Sequence, residues 1–179
     1  MKITVLVGSL RQNGFNRRLA DAIVQLMAAA DPGCEATFAD LNLPLFNQDL
    51  EADPPQAVRQ LKADIAAADG VLLLTPEYNR ALSGVLKNAI DWSSRPAAEG
   101  LWKGKPVAVA GASPSPLGTA FAQTTLRPIM HFIGAKVMAQ PEVFVASAMN
   151  VFDDQGKLTE PTQQFVQQFA TAFVAFVRG

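Results

Sequence analysis

Polar side chains suited to binding an anion follow the first apolar segment of the chain. Ser9, Arg11 and Asn16 come after Ile3–Val7, a short β-branched run that ends at Gly8. A hydroxyl, a guanidinium and the free N–H groups at the start of a helix are the donors that proteins offer to phosphate oxygens. Asn16 either caps this helix or donates to the anion. The loop therefore predicts a phosphate site, although it contains neither a Walker sequence nor a G-x-G-x-x-G fingerprint.

A second loop has residues suited to a flat heteroaromatic ring. Pro76 stiffens the turn and carries no N–H of its own, so the amides of Glu77, Tyr78 and Asn79 are free to face a ligand. Tyr78 is the only tyrosine of the chain and offers a ring surface with a hydroxyl at its edge. A third loop, residues 111–118, is rich in small residues that let backbone approach a ligand. Taken alone, it is more typical of a plain loop.

Alternating strands and helices must position these loops. Short apolar runs predict five strands, at Ile3–Val7, Cys34–Ala39, Gly70–Leu74, Pro106–Ala110 and Val143–Val145. Helical spacing predicts helices from Asn16 to the Asp31-Pro32-Gly33 breaker and at Gln56–Ala68, Ser83–Trp92, Thr119–Gly134 and Pro161–Arg178. This alternation predicts one α/β domain over residues 1–179, a doubly wound five-stranded parallel sheet of order 2-1-3-4-5 with helices on both faces.

The predicted topology itself selects a ligand site. Open parallel sheets bind ligands beyond the carboxyl ends of their strands, where the strand order reverses. For this order, that point lies between the first and third strands with the fourth alongside, which is where the three loops emerge. A phosphate cradle beside a ring-binding loop predicts a phosphorylated planar cofactor, and flavin mononucleotide (FMN) fits because it carries one phosphate on a flexible arm.

Three stretches together resemble the NADPH-dependent FMN reductase family, in particular its quinone, azo and chromate reductase branch. They are Ser9-x-Arg11-x-x-x-x-Asn16, Pro76-Glu77-Tyr78-Asn79 and the helix segment from Ser83 to Trp92. The stretch Leu43-Pro44-Leu45-Phe46-Asn47-Gln48-Asp49 is similar to that branch as well. The resemblance covers nearly the whole chain, although Gly14 stands where many members carry Ser.

The resemblance implies a flavodoxin-like fold, noncovalent FMN, NAD(P)H as electron donor, and a homodimer or a dimer of dimers. Carried over by motif, Ser9, Arg11 and Asn16 hold the phosphate. Pro76–Asn79 border the isoalloxazine ring, and Ser113 lies in the third FMN loop. The expected reaction passes hydride from NAD(P)H through FMN to quinones or similar acceptors, such as azo compounds, chromate or free flavin. With one ligand site in one domain, a ping-pong mechanism is expected, and no side chain is expected to be catalytic.

Composition excludes several other classes of protein. Fifteen Lys and Arg face sixteen Asp and Glu, so the chain lacks the basic excess of a nucleic-acid-binding protein. One Cys and one His exclude a disulfide framework and a metal site built from those residues. No apolar run is long enough for a signal peptide or a membrane span, so a cytoplasmic protein without membrane contact is expected.

Two alternative functions share the predicted strand order. A flavodoxin-like electron carrier would bind FMN without its own NAD(P)H activity, but the resemblance associates such carriers with a strongly acidic chain. A phosphorylated receiver domain needs acidic residues where Gly8, Ser9 and Thr75 stand. Elsewhere in the chain, His131 is expected to be packed or at an interface. Trp92 and Trp102 are interpreted as core, pocket wall or, preferably, interface residues.

Overall fold

A computed structural model describes all of residues 1–179. Its strands are β1 (Lys2–Val7), β2 (Glu35–Phe38), β3 (Gly70–Leu74), β4 (Glu77–Tyr78), β5 (Ala81–Leu82), β6 (Pro106–Ala112), β7 (Lys136–Val137) and β8 (Val143–Val145). Its α-helices are α1 (Phe15–Ala30), α2 (Gln56–Ala67), α3 (Gly84–Ser93), α4 (Ala120–Phe132) and α5 (Thr162–Arg178). Single 3-10 turns lie at Gln48–Leu50 and Ala97–Glu99. No helix is both long enough and apolar enough to cross a membrane.

The main sheet is parallel, and its order β2-β1-β3-β6-β8 confirms the predicted flavodoxin-like topology. β1 lies between β2 and β3, with Val5 opposite Phe38 on one side and Leu72 on the other. β6 then pairs with β3, with Ala110 opposite Leu74. The strand order therefore reverses beside β1, as the sequence pattern predicts.

The fifth position of the sheet is divided between two short strands. β7, which the sequence pattern did not predict, pairs with the start of β6, and β8 pairs with its end. β6 itself continues two residues beyond the predicted end at Ala110, through Gly111 and Ala112. Gly111 permits this continuation because a Cβ there would collide with the Thr75 carbonyl oxygen and the Thr119 hydroxyl.

Both faces of the sheet are covered, which explains why its central strands read as continuous apolar runs. In β3, Leu72 and Leu74 face a core formed with α1 and α5, whereas Val71 and Leu73 face a core formed with α2, α3 and α4. The side chains of a strand alternate between faces, so one strand supplies both cores. The apolar faces of the helices then hold the strand ends, and with them the loops, in fixed positions.

The two tryptophans belong to the core, and the interface interpretation of both is wrong. Trp92 and Trp102 are each 1% exposed. The indole N–H of Trp102 donates to the Ser93 hydroxyl at 3.1 Å, and that of Trp92 donates to the carbonyl of Pro44 at 2.8 Å. Because each buried polar atom has an internal partner, no contact with another chain is needed to satisfy it.

Candidate active site

The carboxyl ends of β1, β3 and β6 bring three loops around one cleft of about 200 Å³. We name them loop 1 (residues 8–16), loop 2 (residues 75–82) and loop 3 (residues 113–118). Seven residues singled out from the sequence line the cleft, namely Ser9, Arg11, Asn16, Pro76, Glu77, Tyr78 and Ser113. Phe15, Ala112 and Pro114 complete much of the lining. Nothing in the types of those three residues marks them in the sequence, because they contribute surface and not polar groups.

Loop 1 leads into a helix whose first N–H groups have no partner within the chain. α1 begins at Phe15, and its N-cap, Gly14, has no side chain to accept from the helix. The first turn contains no acidic residue, and the N–H groups of Phe15, Asn16 and Arg17 make no hydrogen bond in the chain. These unpaired donors lie at the positive end of the helix dipole. The start of α1 therefore offers an anion several N–H groups at once.

Arg11 and Ser9 add side-chain donors beside this helix end. Arg11 is exposed and forms no ion pair, so its guanidinium is available to a ligand. The Ser9 hydroxyl accepts a long hydrogen bond of 3.4 Å from the Arg11 N–H, which leaves its own proton free to donate. A Cβ on Gly14 would lie 3.2 Å from the Arg11 carbonyl oxygen and 3.6 Å from the Ser9 Oγ. The absence of that Cβ keeps the bend of loop 1 open.

Asn16 has a role that the sequence did not reveal. Its side chain is 4% exposed and pairs with the backbone of Ala112 in both directions. The Asn16 Nδ2 donates to the Ala112 carbonyl at 2.9 Å, and its Oδ1 accepts from the Ala112 N–H at 2.9 Å. The side chain caps no helix, contrary to one of the two predicted roles. It joins loop 1 to the end of β6, because an amide is the side chain that matches a peptide group donor for acceptor.

Loop 2 contains a small hairpin in place of the irregular loop that was predicted. β4 and β5 are antiparallel and are joined by Asn79 and Arg80, both with left-handed backbone (φ 52° and 62°). This is the conformation that two-residue hairpin turns require. Pro76 is buried below the hairpin, and Tyr78 is 59% exposed at the mouth of the cleft. Asn79 occupies the turn and does not line the cleft within this chain.

Glu77 joins loop 2 to α4. Its Oε2 accepts from the backbone N–H of Ala122 at 3.1 Å. The N-cap of α4, Thr119, does not cap the helix with its own side chain. Glu77 therefore supplies the cap from another part of the chain, and a carboxylate is also favoured at this end of the helix dipole. This contact positions the hairpin and places the carboxylate of Glu77 in a structural role.

Loop 3 is held by its backbone. The Ser113 N–H donates to the Val145 carbonyl at 3.0 Å, and the Ser113 carbonyl accepts from Ala148 at 3.0 Å. The hydroxyl of Ser113 accepts from the Ser115 N–H at 3.1 Å, so its proton remains available to a ligand. Ser113 is 8% exposed, and it lies against the cleft, where that proton can reach a bound molecule.

The stretch that resembles the reductase branch at residues 43–49 packs against α3. Asn88 accepts from the Phe46 N–H at 2.8 Å and donates to the Pro44 carbonyl at 3.0 Å. Trp92 donates to the same carbonyl, and its ring meets that of Phe46 edge to face at 5.0 Å. Ser83 caps α3 by accepting from the Leu86 N–H at 3.2 Å. These motif residues therefore hold residues 43–49 against α3, and none of them lines the cleft.

Two residues with reactive side chains lie away from the cleft. His131 is exposed on α4, so it is not packed within the chain, and its alternative placement at an interface stays a prediction. Cys34 lies before β2, at the other edge of the sheet, and burial raises the pKa of its thiol. A larger cleft of about 550 Å³ lies between α1 and residues 155–163 and contains none of the residues singled out from the sequence. Cleft volume alone would therefore not identify the candidate active site.

The chain is similar over nearly its whole length to proteins that are named as reductases or oxidoreductases. A family model described as NADPH-dependent FMN reductase matches residues 1–150. A 2-hydroxy-1,4-benzoquinone reductase of a Burkholderia species is 42% identical, over 99% of this chain and 97% of its own. An NAD(P)H-dependent FMN reductase of Pseudomonas aeruginosa is 40% identical, over 99% and 96%. The solved structure of FerB, a flavoenzyme NAD(P)H:(acceptor) oxidoreductase from Paracoccus denitrificans, has a TM-score of 0.91 at 38% identity and covers 99% of this chain and 97% of its own.

Proposed function

The chain belongs to the NADPH-dependent FMN reductase family, and we propose that it uses noncovalent FMN to reduce quinones or similar acceptors with NAD(P)H. Azo compounds, chromate and free flavin are the similar acceptors of this proposal. As a member of this family, the chain is an NAD(P)H-dependent oxidoreductase of small molecules. The observation that carries the proposal is the single cleft at the reversal of strand order, where an uncapped helix end faces a stiff loop with an exposed tyrosine.

The donors of loop 1 fit the phosphate of FMN. Arg11, the Ser9 hydroxyl and the free N–H groups at the start of α1 bind it, since all three are donors without an internal partner of their own. The side chain of Asn16 does not bind the phosphate itself. Its two hydrogen bonds to the Ala112 backbone fix loop 1 against the end of β6. In this assignment Asn16 is a positioning residue and Arg11 is the principal phosphate ligand.

Loops 2 and 3 border the isoalloxazine in the proposal. Pro76 and Tyr78 supply surface at the ring, and Glu77 fixes the hairpin through α4. Asn79 lies in the hairpin turn beyond the lining of the cleft, so its amide borders only the outer edge of the ring, and the Ser113 hydroxyl donates to the ring system from within the cleft. FMN, when bound, supplies the redox chemistry by accepting hydride from NAD(P)H and passing it to the acceptor. The protein orients the substrates and limits access of water.

FMN is held without a covalent bond in this proposal. No Cys or His lines the cleft. The only Cys of the chain, Cys34, is buried at the opposite edge of the sheet, where burial raises the pKa of its thiol and so disfavours the reactive thiolate. Acid precipitation of the purified yellow protein should release all of its flavin into the supernatant. Flavin that stays with the precipitate would contradict noncovalent binding.

NAD(P)H and the acceptor use the same cleft in turn, which is a ping-pong mechanism. One cleft is built at the reversal of strand order, and the chain contains no dinucleotide fingerprint that would hold a coenzyme at a second strand–helix turn. Initial-rate plots should give parallel lines, and high acceptor concentrations should inhibit competitively against NAD(P)H. Intersecting lines with a trapped ternary complex would contradict the shared cleft. If the purified protein oxidised no NAD(P)H without a partner reductase, the electron-carrier alternative would hold.

A homodimer or a dimer of dimers completes the site in this proposal. The cleft of about 200 Å³ lies below the ~300–1,000 Å³ of typical small-molecule sites. Phe121 and Phe132 on α4 expose 39% and 91% of their surface, and contact with a second chain would remove this apolar surface from water. Sedimentation equilibrium should show a dimer or tetramer. A monomer that binds FMN with full affinity would contradict the assembly.

Residues 1–179 act as a single domain in this proposal, including the part beyond the family match. Phe169 and Phe173 of α5 are completely buried in the same core as β1 and α1. Removing α5 would expose that core. Unfolding followed by fluorescence and by circular dichroism should therefore give one coincident transition.

A further inference from the structure

A second cleft, of about 320 Å³, lies on the other side of loop 1, between this loop and the end of β2. Ser9 and Arg11 line both this cleft and the candidate active site, so the two clefts share a wall. The lining of the second cleft also includes Arg17, Phe38 and Asp40. The side chains of these three residues have no role in the proposed binding of FMN.

Arg17 presents both a flat surface and free donors in this cleft. Its guanidinium carbon lies 3.9 Å from the centroid of the Phe38 ring, so the guanidinium is stacked on that ring. Its only hydrogen bonds run from Nε to the carboxylate of Asp21, at 3.1 Å and 3.3 Å. Both terminal nitrogens therefore keep their N–H donors, and 45% of the side chain is exposed. A planar base can stack on the outer face while a phosphate meets the edge.

Asp40 adds an acceptor to the lining of the cleft. Its Oδ1 accepts from the Asn42 N–H at 2.9 Å, and its other oxygen has no partner. Asp40 comes two residues after the end of β2. In doubly wound folds that bind dinucleotides, a carboxylate in this region binds the hydroxyls of the adenosine ribose, and a nearby Arg accommodates a 2′-phosphate. The cleft thus combines a stacking surface, a cation and a ribose acceptor.

We propose that this cleft binds the adenosine phosphate end of the nicotinamide coenzyme, with the purine on Arg17, a 2′-phosphate at its terminal nitrogens and the ribose at Asp40. The inference rests on the proposed function, since it deepens the account of NAD(P)H binding. Because the clefts share loop 1 as a wall, a coenzyme whose nicotinamide lies in the active site can reach across that loop. Arg17 and Asp40 together suit both NADPH and NADH, one through its phosphate and the other through its 2′-hydroxyl.

The test is calorimetric titration of FMN-loaded protein with 2′,5′-ADP and with 5′-AMP, which lack the nicotinamide. We expect 2′,5′-ADP to bind and to compete with NADPH. Arg17→Met should weaken its binding by about 10- to 100-fold, which is the range for a charge-assisted contact to phosphate. Asp40→Asn should strengthen binding of 2′,5′-ADP, because a negative charge near the phosphate is removed, and should weaken binding of 5′-AMP.

Arg59→Met is the matched control. Arg59 is also an exposed helix arginine, 49% exposed and paired with Asp53 at 2.8 Å, but it lies on α2 away from both clefts. This variant should bind both nucleotides as the unmodified protein does, and all variants should keep their FMN content. Unchanged binding of 2′,5′-ADP in Arg17→Met would overturn the inference. Binding that does not compete with NADPH would also overturn it, since it would indicate a separate nucleotide site.

Failure of this inference differs from failure of the proposed function. The titration measures binding without turnover. An active reductase that ignores 2′,5′-ADP would contradict only the second cleft. A protein that binds 2′,5′-ADP at Arg17 but reduces no acceptor with NADPH would instead contradict the proposed reaction.

Discussion

The two edges of the parallel sheet differ in how completely their polar groups are paired. At the amino edge, the Met1 ammonium donates to the Gly33 carbonyl at 2.8 Å, and Arg178 donates to Asp31 at 2.5 Å. At the carboxyl edge, Arg11 has no partner and the first N–H groups of α1 have no acceptor. The charged groups at the amino edge pair within the chain, whereas the carboxyl edge keeps unpaired donors that a ligand can use.

The contacts that stabilise the fold and the groups that bind a ligand therefore lie mainly at opposite edges of one sheet. Unpaired donors are tolerated at the carboxyl edge because water reaches them before a ligand does. Paired charges at the amino edge hold the two ends of the chain but contact nothing that reacts. We therefore expect substitutions at the carboxyl edge to change ligand binding and those at the amino edge to change unfolding. Asn16 is the clearest exception, since it lies at the binding edge and its buried side chain pairs with two backbone groups there.

The largest expected effect is at this exception. Asn16→Ala leaves the N–H and the carbonyl of Ala112 buried without partners, each at a cost of roughly 1–3 kcal/mol. We expect the free energy of unfolding of the apoprotein to fall by about 2–4 kcal/mol, as measured in urea. FMN affinity should fall as well, because loop 1 is no longer fixed to β6. Asn13→Ala, an exposed change in the same loop, serves as the control. If the stability of the apoprotein did not change, Asn16 would not have the structural role that its contacts with Ala112 indicate.

The next effect concerns the unpaired guanidinium of loop 1. Arg11→Ala should weaken FMN binding by about 10- to 150-fold, since a charge-assisted contact to phosphate contributes roughly 1.5–3 kcal/mol. Riboflavin, which lacks the phosphate, should bind as before. Unfolding of the apoprotein should not change, because Arg11 is exposed and has no ion pair. Fluorescence titration with both flavins measures the effect. Equal losses for FMN and riboflavin would show that Arg11 does not bind phosphate.

A smaller effect is expected at the hairpin of loop 2. Glu77→Ala removes the cap of α4, and a lost cap destabilises a helix end by about 1 kcal/mol. If the looser hairpin weakens binding by the same amount, FMN affinity falls about fivefold. Glu77→Gln keeps an acceptor oxygen, so its FMN affinity should lie between that of the unmodified protein and that of Glu77→Ala. If Glu77→Gln lost as much affinity as Glu77→Ala, the charge of Glu77 would act on the flavin directly.

The smallest effect belongs to the amino edge and depends on pH. Burial raises the pKa of Asp31, but hydrogen bonds from the Gly33 N–H and Arg178, with the charges of Arg178 and the N-terminus, hold the pKa below its ordinary value of 3.8. A lowered carboxyl pKa stabilises the fold above that ordinary value, and the contribution is lost as the pH falls through the folded pKa. Arg178→Met should therefore lower the thermal unfolding midpoint at neutral pH, and the difference should shrink below pH 3.8.

FMN affinity provides the contrast for this substitution. Because Arg178 lies at the opposite edge from the cleft, Arg178→Met should bind FMN as the unmodified protein does. A loss of FMN affinity in this variant would contradict the division between the two edges.

The elements of the fold could be predicted wherever hydrophobic pattern and breakers agreed. The run Gly70–Leu74 and the stop at Asp31-Pro32-Gly33 are examples, and the structure confirms both. β7 and the hairpin of β4 and β5 could not be predicted, because two-residue strands carry no periodic pattern. β6 passed its predicted end because Gly111, which usually marks a turn, here allows close packing against Thr75.

For the candidate site, the sequence determined which residues gather and where. The positions of charged, hydroxyl and glycine residues indicate which loops bind a ligand. Those loops are expected to lie together because parallel strands have their carboxyl ends at one edge of the sheet. Only the tertiary structure decided what each side chain does there. Asn16 pairs with Ala112 and Glu77 with Ala122, across 96 and 45 residues of sequence respectively. Local pattern carries no information about such partners, because a polar side chain's role is fixed by whichever unpaired backbone group the packed fold places beside it.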